Sequence, residues 1–256
     1  MGRELSAADL GLGLAPTLIP PSSVPVVPGD IIGGRAAKPH SRPYMAFLRR
    51  WTCMGPVLCG GFLVRKDFVL TAAHCAKGKI MVCLGAHNIN RIWGCEQQNI
   101  RVRHKILHPL YNRRTLNNDI MLLKLRDNAT LTNWVRPINL PPADRIVPVR
   151  TLCSAAGWGR TSQTHTTITL REVNLTVMSD QTCKSRYRYY NTSSMLCAGD
   201  PDDTKTVYRG DSGGPLVCGG VAEGVISQSN SGAVPPAVYT WISHFMPWIT
   251  RIMTHF

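Results

Sequence analysis

The sequence predicts an all-β protein whose strands close into barrels, with one helix at the C-terminus. The chain has 256 residues, which suits one large all-β domain or two smaller ones. Its 22 glycines and 18 prolines imply many turns and argue against a helical bundle. From Ile31 onward, short apolar runs alternate with turn residues, and several runs are continuous, as in strands closed into barrels. These runs are 61–64, 68–70, 80–84, 120–123 and 214–217.

The predicted helix lies at the end of the chain. Apolar residues recur there at spacings of three and four, which places them on one face of a helix. They are Phe245, Trp248, Ile249, Ile252 and Met253.

Residues 1–30 differ from the rest of the chain because five prolines interrupt their apolar residues. A secretory signal needs an unbroken apolar stretch of about 7–15 residues. The nearest match, 10–19, contains two glycines and a proline. We interpret 1–30 as a signal or pro-segment that is removed, which leaves 31–256 as the mature domain.

Composition excludes one class of protein and indicates a compartment. No run reaches the ~18 apolar residues of a membrane-spanning helix, so an integral membrane protein with such helices is excluded. Nine cysteines favour an oxidising compartment. Asn128, Asn174 and Asn191 begin Asn-x-Ser/Thr sequons, the acceptor pattern for N-glycosylation in secreted chains.

Three short segments together indicate nucleophilic catalysis. Alone, a histidine beside a cysteine is usually structural, an aspartate before a strand is usually a cap, and a serine among glycines is usually a turn. A serine hydroxyl becomes a good nucleophile when a base takes its proton and a carboxylate orients that base. The segments are 70–75 with His74, 118–123 with Asp119, and 210–215 with Ser212.

With Ile-Ile-Gly-Gly at 31–34 and Gly-Trp-Gly at 157–159, these segments resemble the chymotrypsin-like serine peptidases over nearly all of 31–256. Residues 39–46 and 84–88 are similar to the granzyme, cathepsin G and mast-cell chymase group. The resemblance implies two six-stranded antiparallel β-barrels with the active site between them and a C-terminal helix. The barrels would occupy 31–140 and 141–256, since Pro141-Pro142 lies between two strand-rich halves.

The resemblance also implies a role for each catalytic residue. Ser212 would attack the peptide carbonyl to form an acyl-enzyme, His74 would act as the base, and Asp119 would orient the imidazole. Backbone N–H groups of Gly210 and Ser212 would form the oxyanion hole, where a side chain at Gly210 would crowd the oxyanion. Cleavage after Asp30 would free the Ile31 amino group to pair with Asp211. No cofactor is implied.

The primary substrate pocket implied by the resemblance has no charged side chain. It should therefore accept an uncharged, apolar residue before the cleaved bond. Two residues depart from the family pattern: Gln228 stands where an aromatic residue is usual, and Ser229 stands where glycine is usual. Ser229 should narrow the entrance and favour small or medium side chains over tryptophan. The pocket residues are Thr206, Val207, Tyr208, Ser227, Gln228, Ser229 and Ala237.

Six of the nine cysteines fit family disulfides. Cys53, Cys83 and Cys95 remain, and an odd number leaves at least one free thiol. Cys83 is expected as a small core residue, whereas a Cys53–Cys95 bridge stays open. Their spacing does not match a zinc site. The implied pairs are Cys59–Cys75, Cys153–Cys218 and Cys183–Cys197.

The partners implied are protein or peptide substrates and protein protease inhibitors, in a secreted or granule-stored protein. An excess of 29 basic over 15 acidic residues gives a net charge of +14, which favours a glycosaminoglycan or another polyanion. No nucleic-acid motif accompanies the charge. The basic clusters are 49–50, 101–105, 113–114 and 184–188.

Two other hypotheses remain open from the residues alone. The Gln228 and Ser229 departures and the basic charge fit a catalytically weak cationic defence protein that binds polyanions. The interrupted N-terminal segment and the odd cysteines fit the product of a decayed gene.

Overall fold

The computed structural model describes residues 31–256 except 32, 53–54, 90–97, 162–164, 166, 200–204, 231 and 233. Within these residues the chain forms thirteen strands and two α-helices. The strands are β1 (Arg35–Ala36), β2 (Met45–Thr52), β3 (Gly55–Arg65), β4 (Phe68–Thr71), β5 (Lys79–Leu84), β6 (Gln98–Leu107), β7 (Met121–Leu125), β8 (Leu152–Gly157), β9 (Arg171–Val177), β10 (Met195–Gly199), β11 (Pro215–Cys218), β12 (Val221–Gln228) and β13 (Ala237–Trp241). The helices are α1 (Asp180–Arg186) and α2 (Ile242–His255).

The first barrel closes in the order β2-β3-β4-β7-β6-β5, with every pair antiparallel. Its interior is filled by the apolar runs that predicted the strands, and Phe62, Phe68 and Leu122 are fully buried there. Gly61 allows a close approach of strands, since a Cβ at that position would lie 2.9 Å from Val69 Cγ1.

The second barrel runs β9-β10-β13-β12-β11-β8 and is closed by pairing of β8 with β9. The short strand β1 adds to β9, so the segment that follows Ile31 is attached to this barrel. The prediction of two six-stranded antiparallel barrels is confirmed.

Helix α2 joins the two halves of the molecule. Phe245, Trp248 and Ile249 are buried in the same apolar cluster as the interior of the first barrel, and Ile252 and Met253 pack against that cluster. The predicted C-terminal helix and its apolar face are therefore confirmed. No helix in the described part of the chain is long and apolar enough to cross a membrane.

The three implied disulfides, Cys59–Cys75, Cys153–Cys218 and Cys183–Cys197, are present. Cys83 is buried in β5 as expected, but it is also disulfide-bonded. Its partner lies outside the described residues, as do Cys53 and Cys95. The expectation of a simple core cysteine is therefore wrong, because strand periodicity predicts burial and carries no information about a distant thiol.

Candidate active site

Pairing of β4 with β7 brings the candidate base and its carboxylate together. Thr71 lies opposite Met121 in this ladder. A 3₁₀ turn at Ala73–Ala76 follows β4 and carries His74, while Asp119 lies two residues before β7. Asp119 Oδ1 accepts a hydrogen bond from His74 N at 2.8 Å, and Asp119 Oδ2 lies 2.7 Å from His74 Nδ1. Both the backbone and the ring of the histidine are therefore held by one carboxylate.

The second barrel completes the hydrogen bonding of Asp119. Ser227 on β12 donates its hydroxyl to Asp119 Oδ2 at 2.6 Å, and Thr240 on β13 donates to the Asp119 carbonyl at 3.0 Å. Because the Asp119 side chain is fully buried, these partners compensate for the loss of water around its charge. The predicted position of Ser227 in the pocket stays a prediction, and the structure adds that its hydroxyl hydrogen-bonds Asp119.

Ser212 lies on a turn that is anchored to the first barrel. Its carbonyl accepts a hydrogen bond from Gly60 N at 2.7 Å and lies 3.7 Å from Cys75 Sγ, next to His74. Between residues that the structure describes, no hydrogen bond joins the Ser212 hydroxyl to the His74 ring. Catalytic hydrogen bonds in substrate-free enzymes are often long and shorten when substrate binds. The Ser212–His74 proton transfer therefore stays a prediction.

The backbone at position 210 accepts glycine and would be strained by any residue with a side chain. Its φ is +104°, and a Cβ would lie 2.9 Å from Gly159 Cα. A side chain at Gly210 would therefore clash with neighbouring backbone, and the expected crowding of an oxyanion stays a prediction. Among the described residues, the N–H groups of Gly210 and Ser212 donate to no protein acceptor.

Asp211 is a fully buried carboxylate held by two backbone donors. Gly159 N donates to Oδ1 at 2.8 Å and Tyr208 N donates to Oδ2 at 3.0 Å. Burial raises the pKa of Asp211 to about 7, although these two hydrogen bonds act in the opposite direction. A Cβ at Gly159 would lie 2.5 Å from the carboxylate, and one at Gly157 would lie closer still. The two glycines of the Gly-Trp-Gly segment therefore leave the space that the Asp211 carboxylate occupies.

Ile31 is fully buried in the apolar cluster of the second barrel, together with Val207. Its φ is +30°, an unfavourable value for a β-branched residue. In the uncut chain its nitrogen is an uncharged amide. No cation among the described residues forms an ion pair with Asp211.

The raised pKa of Asp211 gives the uncut chain a specific pH dependence. Between the ordinary pKa of 3.8 and about 7, the folded chain holds a proton that the unfolded chain releases. The free energy of unfolding should therefore fall as pH rises through this window, by up to about 1.4 kcal/mol per pH unit from this group. Urea unfolding of the uncut chain at pH 4 to 8 measures the fall. Asp211→Asn should remove the part of this pH dependence that Asp211 causes. An unchanged slope of unfolding free energy against pH in that variant would contradict the raised pKa of Asp211.

The remaining pocket residues divide into buried and partly exposed sets. Thr206, Val207 and Ala237 are fully buried, and Tyr208 is nearly so. Gln228 and Ser229 are partly exposed at the end of β12. The Thr206 hydroxyl donates to the neighbouring Val207 carbonyl at 3.3 Å. None of these side chains carries a formal charge.

Comparison with known proteins identifies the family to which the chain belongs. A family model described as Trypsin matches residues 31–249. The chain belongs to the trypsin family. The prediction of a chymotrypsin-like serine endopeptidase is thereby confirmed.

Several relatives are similar to this trypsin-family protein over most of their length. Cathepsin G of Mus musculus is 51% identical over 228 residues, which are 89% of this chain and 87% of that protein. Chymase of Papio hamadryas is 50% identical over 230 residues, with 88% and 91% covered. Granzyme B of Homo sapiens is 48% identical over 233 residues, with 89% and 93% covered. A solved structure described as "Structure of GrC" is 45% identical, has a TM-score of 0.83, and is matched over 88% of this chain and 100% of that one.

Two other kinds of candidate site in this trypsin-family protein are a potential metal site and the N-glycosylation sequons. Cys59, His74 and Cys75 hold potential metal ligands within 4.8 Å of one another, but the two sulfurs form a disulfide and offer no thiolate. The sequon residues Asn128, Asn174 and Asn191 are exposed.

Proposed function

We propose that this trypsin-family chain hydrolyses peptide bonds through a triad of Ser212, His74 and Asp119. The observation that carries the proposal is the arrangement around Asp119, whose carboxylate accepts from His74 N and the Ser227 hydroxyl and lies 2.7 Å from His74 Nδ1. With its proton on Nδ1, the imidazole presents the lone pair of Nε2 as a base.

The reaction has two halves. The Ser212 hydroxyl attacks the substrate carbonyl and its proton passes to His74 Nε2. The tetrahedral intermediate then collapses as His74 returns this proton to the leaving amine, which leaves Ser212 acylated. Water attacks the acyl group with His74 again as base, and this step releases the second product.

The oxyanion is proposed to bind at the N–H groups of Gly210 and Ser212. These donors have no protein acceptor among the described residues, so a substrate oxygen can approach them without breaking a native hydrogen bond. Loss of one such donor typically costs about 2.7–4 kcal/mol of transition-state stabilisation.

Activation is proposed to follow cleavage after Asp30, which leaves 31–256 as the mature peptidase with barrels at 31–140 and 141–256. The new Ile31 ammonium group would pair with Asp211, which is buried and whose carboxylate accepts from two backbone N–H groups among the described residues. The unfavourable φ of Ile31 would relax once its peptide bond to Asp30 is cut.

The substrates are proposed to be proteins with an uncharged side chain before the cleaved bond. Thr206 and Ala237 support this because both are fully buried and neither can balance a charged substrate side chain. Protein protease inhibitors that mimic such substrates are the expected regulators, and the protein is expected to be secreted or stored in granules.

A library of peptides with uncharged side chains before the cleaved bond tests the proposal directly. The chain that begins at Ile31 should cleave members of the library, while Ser212→Ala should lose about 10⁶-fold in kcat because the nucleophile is absent. The uncut chain is the second control. If Ser212→Ala cleaves as fast as the parent protein, the proposed nucleophile is wrong.

Polyanion binding is the second candidate function, and it does not require activity. Lys79, Arg101 and Arg103 are exposed around a groove of about 740 Å³ between β5 and β6. Sulfate groups would replace small counterions there, so the affinity should fall steeply with salt. The 49–50 cluster contributes less than expected because Arg50 is buried and donates to the Cys75 carbonyl.

A further inference from the structure

Lys105 on β6 holds the end of the turn that carries His74. Its Nζ donates to the Ala76 carbonyl at 2.8 Å and to the Gly78 carbonyl at 2.9 Å. Ala76 is the last residue of the 3₁₀ turn Ala73–Ala76. The carbonyl end of a helical turn carries a partial negative charge, so an ammonium group is a favourable partner there. Lys105 therefore fixes the backbone that follows His74.

A second cation holds the same turn from the inside of the protein. Arg50 on β2 is buried, and its Nη1 donates to the Cys75 carbonyl at 3.1 Å. Cys75 is also fixed by its disulfide with Cys59. Lys105, in contrast, is exposed to solvent. Of these two cations, Lys105 is therefore the one that a dissolved molecule can reach.

Lys105 also lines the groove between β5 and β6, whose volume is about 740 Å³. Lys79, Arg101 and Arg103 line the same groove and are exposed. Within the described part of the chain, these three side chains form no hydrogen bond or ion pair, and no acidic residue lines the groove. Positive charge without a protein counterion attracts anions. An anion that enters the groove therefore meets Lys105 together with three other cations.

A sulfate oxygen is a better partner for Lys105 than a backbone carbonyl. Both partners are ionised when an ammonium group donates to sulfate, which adds an attraction between charges that a neutral carbonyl lacks. Once Lys105 turns to a sulfate, the carbonyls of Ala76 and Gly78 lose the donor that they share. Because the sulfate contact exists only in this second arrangement, an anion in the groove shifts the equilibrium toward the released turn.

We propose that a sulfated polyanion bound in this groove slows catalysis by drawing Lys105 away from the turn that carries His74. This inference rests on both proposed functions, peptide hydrolysis and polyanion binding, and it adds a regulatory link between them. Lys105 is a positioning residue, since it acts on His74 through the backbone of the turn. Asp119 continues to hold the backbone and the ring of His74, so the rate should fall without being abolished.

Sucrose octasulfate, a small sulfated saccharide, tests this link in the chain that begins at Ile31. At saturation it should lower kcat for an uncharged peptide by about fivefold or more, a usual size for coupling between two sites. KM should change little, because the lost contacts orient the base and bind no substrate. Added sodium chloride should restore kcat as it displaces the saccharide. Unsulfated sucrose at the same ionic strength is the control and should leave kcat unchanged.

Lys105→Met removes the donor and keeps a long, flexible side chain. Without the saccharide, its kcat should already be near the value of the saturated parent chain, and saturation should change it by less than about twofold. Lys105→Arg keeps N–H donors and should recover most of the parent kcat. Lys77→Met is the matched control, because Lys77 is exposed directly after the turn and its side chain has no hydrogen bond within the described residues. This control should keep both the kcat and the response of the parent chain.

Calorimetry with the same saccharide measures its binding and shows when the parent chain and each variant are saturated. Binding to the parent chain with an unchanged kcat, or an equal fall of kcat in Lys105→Met, would overturn the inference and leave both proposed functions standing. Absence of binding would overturn the polyanion function, and absence of peptide cleavage would overturn the peptidase function. Either of these two results would overturn the inference as well.

Discussion

Asp119→Asn should lower kcat by about 10⁴-fold with little change in the fold, as expected for loss of the triad carboxylate. The reason lies in the donors around this group. Asp119 Oδ1 accepts from His74 N, while Oδ2 accepts from Ser227 and lies beside His74 Nδ1. Asparagine offers one oxygen and one amide NH₂. If the oxygen keeps the backbone contact, the NH₂ faces Nδ1, so the ring proton moves to Nε2 and the base is lost.

The measurement is steady-state hydrolysis of a neutral peptide, with thermal unfolding as a check on the fold. Ser227→Ala is the matched control because it removes one donor from the same oxygen without reversing the histidine tautomer. We expect a loss of about 10- to 150-fold for this control, since one hydrogen bond to a charged group contributes about 1.5–3 kcal/mol. Equal losses in Asp119→Asn and Ser227→Ala would contradict the tautomer argument.

Cleavage before Ile31 should increase the reactivity of Ser212 by at least about 100-fold, and Asp211→Asn should remove the increase. Breaking a buried ion pair costs about 3–5 kcal/mol, which corresponds to a factor of ~10² or more when the pair orders the site. The asparagine side chain would keep the size of the aspartate and a carbonyl oxygen for one N–H donor, but it could not pair with the new ammonium group.

The rate of reaction with a fluorophosphonate reports this reactivity without a peptide substrate. The uncut chain, the chain that begins at Ile31, and Asp211→Asn in the cut form are compared. Equal rates in the first two would show that the Ile31 amino group does not activate the site. If the cut Asp211→Asn variant reacts with the fluorophosphonate as fast as the cut parent chain, cleavage activates the site without an ion pair to Asp211.

Local patterns in the sequence predicted the strands and the C-terminal helix, whereas the arrangement of the strands in two six-stranded barrels was implied by the family resemblance. Continuous apolar runs such as 61–64 became strands because they are buried on the inside of a closed sheet. The face of α2 followed from spacing alone, since Phe245, Trp248 and Ile249 recur with the period of a helix. The motifs also led to His74 and Asp119, which the structure brings together.

Features that depend on contacts between distant residues were not predictable from the chain. Ser227 was assigned to the pocket through the family resemblance, and nothing in the sequence indicated that its hydroxyl reaches Asp119 across 108 positions. The disulfide of Cys83 was missed because pairing depends on the approach of two thiols in space.

The site of covalent labelling tests the central claim most directly, namely that His74 and the freed Ile31 terminus together make Ser212 a nucleophile. The chain that begins at Ile31 is treated with a fluorophosphonate, digested and analysed by mass spectrometry, with His74→Ala and the uncut chain treated in parallel. The account predicts one phosphonylated residue, Ser212, in the cut chain and at most slow labelling in the two controls. A cut chain that stays unlabelled, or label on Ser212 at the same rate when His74 is absent, would contradict it.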